Sequence, residues 1–222
     1  RALLRSERQT PPRFNHVVFV TDEDRAALSY DDNRNSTTIP ICIDPEDRAI
    51  VGIEADQHLI AHLGTMFWPP NVEGVLWFAQ EVFPSVLARV PDARFIVMGK
   101  RPPQEVQDLA SENPNIEVLG YVEDPEPYLA RTAAFIVPLH AGAGMRVKIL
   151  DAWCWGLPIV STTLGAEGIA ANDGENLLLA DDAQAFAEAV IRLLLEPALR
   201  ARLRQNGRDW VESQYNWRTV YD

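Results

Sequence analysis

The sequence predicts an α/β fold in which a doubly wound parallel sheet of about six strands carries helices on both faces. From Gln57 onward, six short apolar runs each precede an amphipathic helix or a loop, and this alternation is typical of a parallel sheet covered on both faces. The chain has 222 residues, of which 47% are hydrophobic and 23% are charged, as in ordinary globular proteins. That length is sufficient for one large domain with a sizeable core.

An opening segment precedes the regular pattern. A short strand is expected over residues 16–20, followed by a helix that Asp22 caps and that runs to about Ser29. A second short strand is expected over residues 37–43. Pro40 interrupts it and cannot donate a ladder hydrogen bond, so an edge or connecting position is favoured.

The main domain is predicted to alternate strands and helices in chain order. Its strands coincide with HLIAHLG, RFIVMG, IEVLG, AAFIVPL, PIVST and NLLLA, and its helices span residues 72–89, 104–112, 125–131, 144–155, 183–195 and 197–215. In such sheets, ligands bind outside the carboxyl ends of the strands, where strand-to-helix loops converge. The loops at that edge contain glycine or proline, and they are residues 64–71, 99–103, 120–124, 139–144 and 161–168.

Charge balance and residue spacing exclude several classes of function. Lys and Arg total 20 against 32 Asp and Glu, a formal net charge of -12, so a nucleic-acid-binding face is not expected. Cys42 and Cys154 are far apart and the four histidines lack ligand spacing, so we expect neither a disulfide framework nor a metal site. The apolar runs are far shorter than the roughly 20 residues that span a bilayer.

The stretch HAGAGMRVKILD, residues 140–151, is the main candidate for a functional site. Gly142 and Gly144 precede a predicted helix start, and Arg146 and Lys148 lie in or near its first turn. Cations there oppose the helix dipole at a cost of roughly 0.3–1 kcal/mol each, so a bound anion would compensate. Phosphate fits, because the glycines allow close approach to the N–H groups of the helix start and both cations can bind its oxygens.

Asp151 lies three residues after Lys148, on the same face of the predicted helix. A carboxylate beside phosphates would repel them, so we expect it to accept hydrogen bonds from sugar hydroxyls, as acidic residues do for ribose in dinucleotide sites. The motif therefore describes a nucleoside diphosphate, with or without an attached sugar. The alternative is a solvated helix face with a glycine-rich entry and a local Lys148–Asp151 ion pair.

The run PLHAGAGMRVKILDAWCWGLPIVSTTLGAEGI resembles the signature of group 1 glycosyltransferases, which contains G-G-G-T-R-x-K, G-x-P-V-V-S-T and G-A-E-G. The similarity covers most of residues 57–215, including WPPNVEGVLWFAQEVFPSVLARVPDARFIVMGKRPP, GYVEDPEPYLA and NDGENLLLADDAQAFAEAV. It implies one half of a GT-B architecture, in which two Rossmann-like domains face a cleft. Residues 1–45 would be the tail of the amino-terminal domain and the interdomain connector, and residues 46–222 the Rossmann-like domain that binds the nucleotide-sugar donor.

The resemblance also implies roles for individual residues. Arg146 and Lys148 would bind the donor diphosphate and act in catalysis, and Asp151 would bind the ribose hydroxyls. The other implied donor-site residues lie in loops: Gly142, Ala143 and Gly144 near the donor sugar or phosphates, Tyr121 and Val122 at the base, and Gly165, Ala166 and Glu167 bordering the site.

Three features depart from the family pattern. Asp151 replaces the usual Glu, which shortens the reach to the ribose by one methylene. Ala143 stands where many members have a first acidic residue, so the E-x7-E pair is incomplete. LGTMFWPPN, at residues 63–71, lacks the basic pair that often follows the first strand of the domain, so phosphate binding would depend on Arg146 and Lys148.

The resemblance implies a hexosyltransferase of polysaccharide biosynthesis. The whole protein would transfer a sugar from a nucleoside diphosphate to a glycan or lipid-linked acceptor hydroxyl, with retention and without a metal or other cofactor. The acceptor would be bound by the amino-terminal domain, so this chain, which begins with Arg1 and resembles an excised part, is expected to be inactive alone. We expect a cytoplasmic location without a transmembrane segment, and peripheral contact with the inner face of the membrane in the full protein. Two alternatives on the same scaffold are a nucleotide-sugar epimerase and a non-catalytic nucleotide-sugar-binding module, which Ala143 favours.

Overall fold

A computed structural model of the chain describes residues 14–27, 35–48, 50–51, 58–142 and 144–221. The strands in this part of the chain are β1 (Val17–Phe19), β2 (Ser36–Thr38), β3 (Leu59–Leu63), β4 (Arg94–Met98), β5 (Ile116–Gly120), β6 (Thr132–Val137), β7 (Ile159–Ser161) and β8 (Leu178–Leu179). Strands β1 and β2 pair in parallel as a small separate sheet. The other six form one parallel sheet in the order β5-β4-β3-β6-β7-β8, which confirms the predicted sheet.

Helices follow most of the strands. They are α1 (Asp22–Ala27), α2 (Pro69–Trp77), α3 (Phe83–Arg89), α4 (Gln104–Glu112), α5 (Glu126–Leu129), α6 (Val147–Cys154), α7 (Ala183–Leu195), α8 (Pro197–Gln214) and α9 (Trp217–Val220). A π-helical stretch, Phe78–Val82, joins α2 to α3, and 3-10 turns occupy Pro45–Asp47 and Leu164–Ala166.

Both faces of the large sheet are covered, as the sequence predicts. In β4, Phe95 and Val97 belong to one core, which α2, α3, α4 and α7 complete, because alternate residues of a strand point to opposite faces. Ile96 and Met98 belong to a second core, which contains α6 and the end of α8. Alternate side chains along a buried strand therefore pack into the two cores, which is why helices cover both faces of the sheet.

The strand order creates a switch point between β3 and β6. The chain builds outward from β3 through β4 to β5 and then returns to place β6 on the other side of β3. The connections after β3 and β6 thus leave in opposite directions, which opens a crevice at the carboxyl edge of the sheet. The loop after β4 packs closely against the loop after β3, since a Cβ on Gly99 would lie 1.8 Å from the carbonyl oxygen of Gly64.

The helix predicted to begin at Gly144 begins three residues later, at Val147. The prediction was wrong because Gly142 and Gly144 have φ values of 111° and 88°, which lie outside the right-handed helical region. Arg146 is the residue that precedes α6, with a non-helical backbone at φ -91° and ψ 76°. Of the two cations, Lys148 alone therefore lies in the first turn of the helix.

Other predicted boundaries also shift. Thr21 caps α1 in place of Asp22, because its Oγ1 accepts a hydrogen bond from the N–H of Asp24 at 3.0 Å. The strand predicted over residues 37–43 is confined to Ser36–Thr38, and the helix predicted over residues 125–131 to Glu126–Leu129. The predicted end of α1 near residue 29 lies outside the described residues.

Candidate functional site

A pocket of about 320 Å³ lies at the switch point, between the loop that follows β3 and helix α6. Lys148 and Asp151 enter it from α6, and Trp68 and Asn71 enter it from the start of α2. The ring of Trp155 contributes a further wall. The structure therefore brings two of the three charged residues of the sequence motif into one pocket.

Arg146, the third charged residue, lies beside this pocket and is 5% exposed. Its Nη2 is 3.9 Å from Oε2 of Glu167, and its guanidinium carbon is 5.9 Å from the ring centroid of Trp68. Burial lowers the pKa of Arg146, and the carboxylate of Glu167 raises it. Because an arginine remains protonated at any physiological pH, this side chain is a buried permanent cation.

Lys148 reaches across the switch point. Its Nζ donates a hydrogen bond to Oδ1 of Asn71 at 2.6 Å, and it would lie 2.9 Å from a Cβ placed on Gly64. Burial lowers the pKa of Lys148 to about 7, and the charge of Arg146 adds to this effect. The loop of residues 63–71 has no Arg or Lys of its own, so Lys148 supplies the cation there from a different strand-to-helix connection.

Asp151 is engaged by Arg48, which lies before the first strand of the large sheet. Its Oδ1 is 3.1 Å from Nη2 of Arg48, and the guanidinium of Arg48 lies 5.0 Å from the ring centroid of Trp155. Burial raises the pKa of Asp151, whereas Arg48 lowers it. Among the described contacts Lys148 pairs with Asn71 and Asp151 with Arg48, so the local Lys148–Asp151 ion pair of the alternative interpretation is not formed.

The glycines of the motif lie in the loop before α6 and not at its first turn, as a consequence of the later helix start. A Cβ on Gly142 would be 3.1 Å from the ring of Trp68 and 3.3 Å from Nη2 of Arg146, so this glycine lets both side chains approach the loop. Apart from its chain neighbours, no described residue has an atom within 4 Å of a Cβ placed on Gly144. Ala143 lies outside the described residues.

The residues expected at the base lie away from the pocket. Tyr121 and Val122 follow β5, and β4 separates β5 from β3 in the sheet. Tyr121 is 61% exposed, and the Nζ of Lys100 lies 4.3 Å from its ring centroid. Val122 is partly buried against the second core. A ligand that used both regions would have to extend along the carboxyl edge of the sheet.

The loop of Gly165, Ala166 and Glu167 borders a second pocket. Gly165 is packed against the sheet, since a Cβ there would lie 2.5 Å from the carbonyl oxygen of Val137. Ala166 and Glu167 line a cavity of about 500 Å³, together with Glu23 of α1. Because Glu167 also faces Arg146, this loop joins the second pocket to the cation cluster.

Three residues at the site were missed by sequence reasoning: Asn71, Arg48 and His62. Asn71 is 2% exposed and directs its Oδ1 at Lys148, while its Nδ2 donates to the carbonyl oxygen of Thr65 at 2.9 Å. Only His62 carried a usable signal, namely a titratable residue inside an apolar strand. The others could not be found, because their partners are distant in the sequence.

Two kinds of feature are absent from the described part of the chain. No group of three or more His, Cys, Asp or Glu side chains there is arranged to hold a metal ion. None of the helices in the same ranges is both long enough and apolar enough to cross a membrane.

The fold and the sequence motif agree with the comparison to known families. The sequence model of the family Glycosyl transferases group 1 matches residues 57–196, which is more than half of the chain. The chain therefore belongs to the group 1 glycosyltransferases.

Individual relatives agree with this assignment. The chain is 28% identical over 183 residues to the lipopolysaccharide core biosynthesis glycosyltransferase LpsE of Rhizobium meliloti, covering 79% of this chain and 51% of LpsE. It spans about half the length of the curated relatives it matches, with 44% and 51% covered in two of them.

Solved structures share the fold. A mutant of S. aureus TarM in complex with fondaparinux, α-GlcNAc-glycerol and UDP superposes with a TM-score of 0.79 at 14% identity, covering 100% of this chain and 45% of TarM. HepE of Anabaena in complex with UDP and glucose gives a TM-score of 0.75 at 14% identity, covering 99% of this chain and 64% of HepE.

Proposed function

We propose that this chain binds the nucleoside-diphosphate sugar of a glycosyltransferase that transfers the sugar to an acceptor hydroxyl with retention of configuration. The observation that carries the proposal is the hydrogen bond between Lys148, in the first turn of α6, and Asn71, at the start of α2, with the buried guanidinium of Arg146 beside them near Trp68. Two cations and a carboxylate, Asp151, at the switch point of a doubly wound sheet suit a diphosphate attached to a sugar.

The proposed chemistry is departure of the diphosphate through a transition state resembling an oxocarbenium ion. Negative charge grows on the leaving oxygen as the bond to the sugar breaks. Arg146 and Lys148 stabilise that charge because they are held in place before the reaction, in a site that excludes water. Asp151 accepts hydrogen bonds from the ribose, and Glu167 holds the guanidinium of Arg146 toward the phosphates.

The remaining donor contacts follow the family pattern. The backbone of residues 142–144 and the loop of Gly165, Ala166 and Glu167 are assigned to the donor sugar and phosphates, and Tyr121 and Val122 to the base. UDP in the TarM and HepE complexes supports a nucleoside diphosphate as the ligand class. We further propose a glycan or lipid-linked acceptor bound by residues outside this domain, and a cytoplasmic location at the inner face of a membrane.

Calorimetric titration of the 222-residue chain with UDP, GDP and ADP tests the binding step. We expect saturable binding of one nucleotide, which Arg146→Ala abolishes. Arg192→Ala is the matched control, because Arg192 is an exposed cation paired with Glu196 on α7. Absence of binding to all three nucleotides, or equal loss in both variants, contradicts the proposal. The anomeric configuration of the product, read by NMR with the full-length protein, tests retention.

A further inference from the structure

His62 is a fully buried histidine in β3 beside the proposed phosphate site. Its Nδ1 is 3.1 Å from the carbonyl oxygen of Ile136, so Nδ1 carries the proton and donates. The other ring nitrogen, Nε2, is then an acceptor, and it has no hydrogen-bond partner among the described residues. An unpartnered acceptor in a protein interior is destabilising, and a donor that reached it in another state of the site would remove that penalty.

The donor available is the amine of Lys148. A Cβ placed on Gly64 would lie 3.1 Å from Nε2 of His62, 2.9 Å from Nζ of Lys148 and 2.8 Å from Nδ2 of Asn71. The three nitrogens therefore surround one glycine, and a side chain there would separate them. Nζ already donates to Oδ1 of Asn71, and an ammonium has two further protons to donate.

We infer that His62 and Asn71 position Lys148 as the phosphate ligand of this site, and that the amine takes up a proton as the diphosphate enters. The inference rests on the proposed function. In the charged state, one N–H of Lys148 bonds Asn71, a second bonds Nε2 of His62, and the third faces a phosphate oxygen.

The charges around Lys148 favour this change of state. Arg146 precedes it on the chain and repels a second positive charge, and His62 on β3 is neutral because burial lowers its pKa to about 3. Asp151, one turn later on α6, is paired with Arg48.

Two residues on neighbouring elements also lie near these cations: Asn71 on α2 is uncharged, and Glu167 after β7 faces Arg146. Without a bound anion, burial lowers the pKa of Lys148 to about 7. A bound diphosphate would raise that pKa again, because opposite charge within roughly 4–6 Å favours the protonated amine.

The test is calorimetric titration of the chain with UDP, GDP and ADP at pH 8, in two buffers that differ in ionisation enthalpy. The difference in apparent binding enthalpy gives the number of protons taken up. At pH 8 the phosphates are already fully ionised, so uptake comes from the protein. We expect roughly 0.5–1 proton per bound nucleotide. Lys148→Met should bind more weakly and take up none.

Two further variants test the positioning residues. Asn71→Asp places a carboxylate against the amine and keeps the amine charged before the nucleotide binds, so proton uptake per bound nucleotide should fall to near zero. Binding should weaken, because the carboxylate repels the diphosphate. His62→Leu should weaken binding by about tenfold, and His62→Gln, which keeps an acceptor, should restore most of it. Circular dichroism confirms folding of each variant.

The outcomes separate this inference from the proposed function. Failure of all three nucleotides to bind overturns the proposed function and the inference with it. Binding without proton uptake, or uptake that persists in Lys148→Met, overturns only the inference. Equal binding by His62→Leu and His62→Gln removes His62 from the set of positioning residues.

Discussion

The two cations at the start of α6 lie two residues apart and have opposite surroundings. Arg146 faces the carboxylate of Glu167 at 3.9 Å and precedes the helix. Lys148 lies in the first turn, donates to the neutral amide of Asn71 and faces the uncharged ring of His62. Arg146 therefore carries a permanent charge, whereas the charge of Lys148 depends on pH.

This difference follows from side-chain chemistry as well as position. A guanidinium keeps its proton even when buried, but an ammonium loses it readily when water is removed and no anion replaces the water. Two permanent cations without a counter-ion would destabilise the folded chain when no anion is bound. A permanent charge on Arg146 and a titrating amine on Lys148 reduce this destabilisation, and both charges can still form when the proposed diphosphate binds.

The largest expected effect is that of Arg146→Met on catalysis. In the full-length protein, kcat should fall by about 100-fold or more, because a preorganised charge at the leaving group is lost. Initial rates of sugar transfer by the variant and the wild type measure this. Near-normal turnover would remove Arg146 from the mechanism.

Lys148→Met should change the pH dependence of stability. The pKa of Lys148 is about 7 in the folded chain and near 10.5 when unfolded, so the unfolded state binds more protons between these values. Folding stability therefore rises with pH across this window, by up to about 1.4 kcal/mol per pH unit. From pH 7 to pH 9, urea denaturation should show the wild type gaining about 2 kcal/mol relative to Lys148→Met. Arg192→Ala, which removes an exposed cation from α7, is the control. Parallel pH profiles for the wild type and Lys148→Met would refute the pH-dependent charge of Lys148.

Asn71→Leu should destabilise the chain by about 1–3 kcal/mol, because the amine of Lys148 and the carbonyl of Thr65 both lose a buried partner. The loss should be greater at pH 6 than at pH 9, since the amine is charged below its pKa. Asn71→Asp should recover stability at pH 6, where a carboxylate pairs with the ammonium. Urea denaturation at both pH values distinguishes these results from a simple packing defect, which would not depend on pH.

The smallest effect is expected for Arg48→Ala. Arg48 and Asp151 are 36% and 28% exposed, so their ion pair should contribute under about 1 kcal/mol. Its removal frees Oδ1 of Asp151 for ribose hydroxyls, and nucleotide affinity should rise by up to about fivefold. Calorimetry measures this, with Arg218→Ala as a control that breaks the connector's ion pairs with Asp44 and Glu46 instead. Weaker binding by Arg48→Ala would mean that Arg48 itself contacts the nucleotide.

Much of the fold could be predicted because its signals are local. Apolar runs and helical periodicity identified the six strands, and both faces of the sheet are covered as expected. The start of α6 could not be predicted. The two glycines before it adopt positive φ values, so the helix begins only after them. The roles of Ala143, Tyr121 and Val122 in donor binding stay predictions.

The sequence by itself determined the family, the parallel sheet and the placing of Arg146, Lys148 and Asp151 at its carboxyl edge. The position of these three residues follows from chain order, because the loop after a parallel strand leaves from that edge of the sheet. Only the tertiary structure decided the partners. Lys148 meets Asn71 across 77 residues and Asp151 meets Arg48 across 103, through a strand order that the local pattern does not encode. Burial and the neighbouring charges shift the pKa of each group, so the electrostatics of the site is a property of the fold.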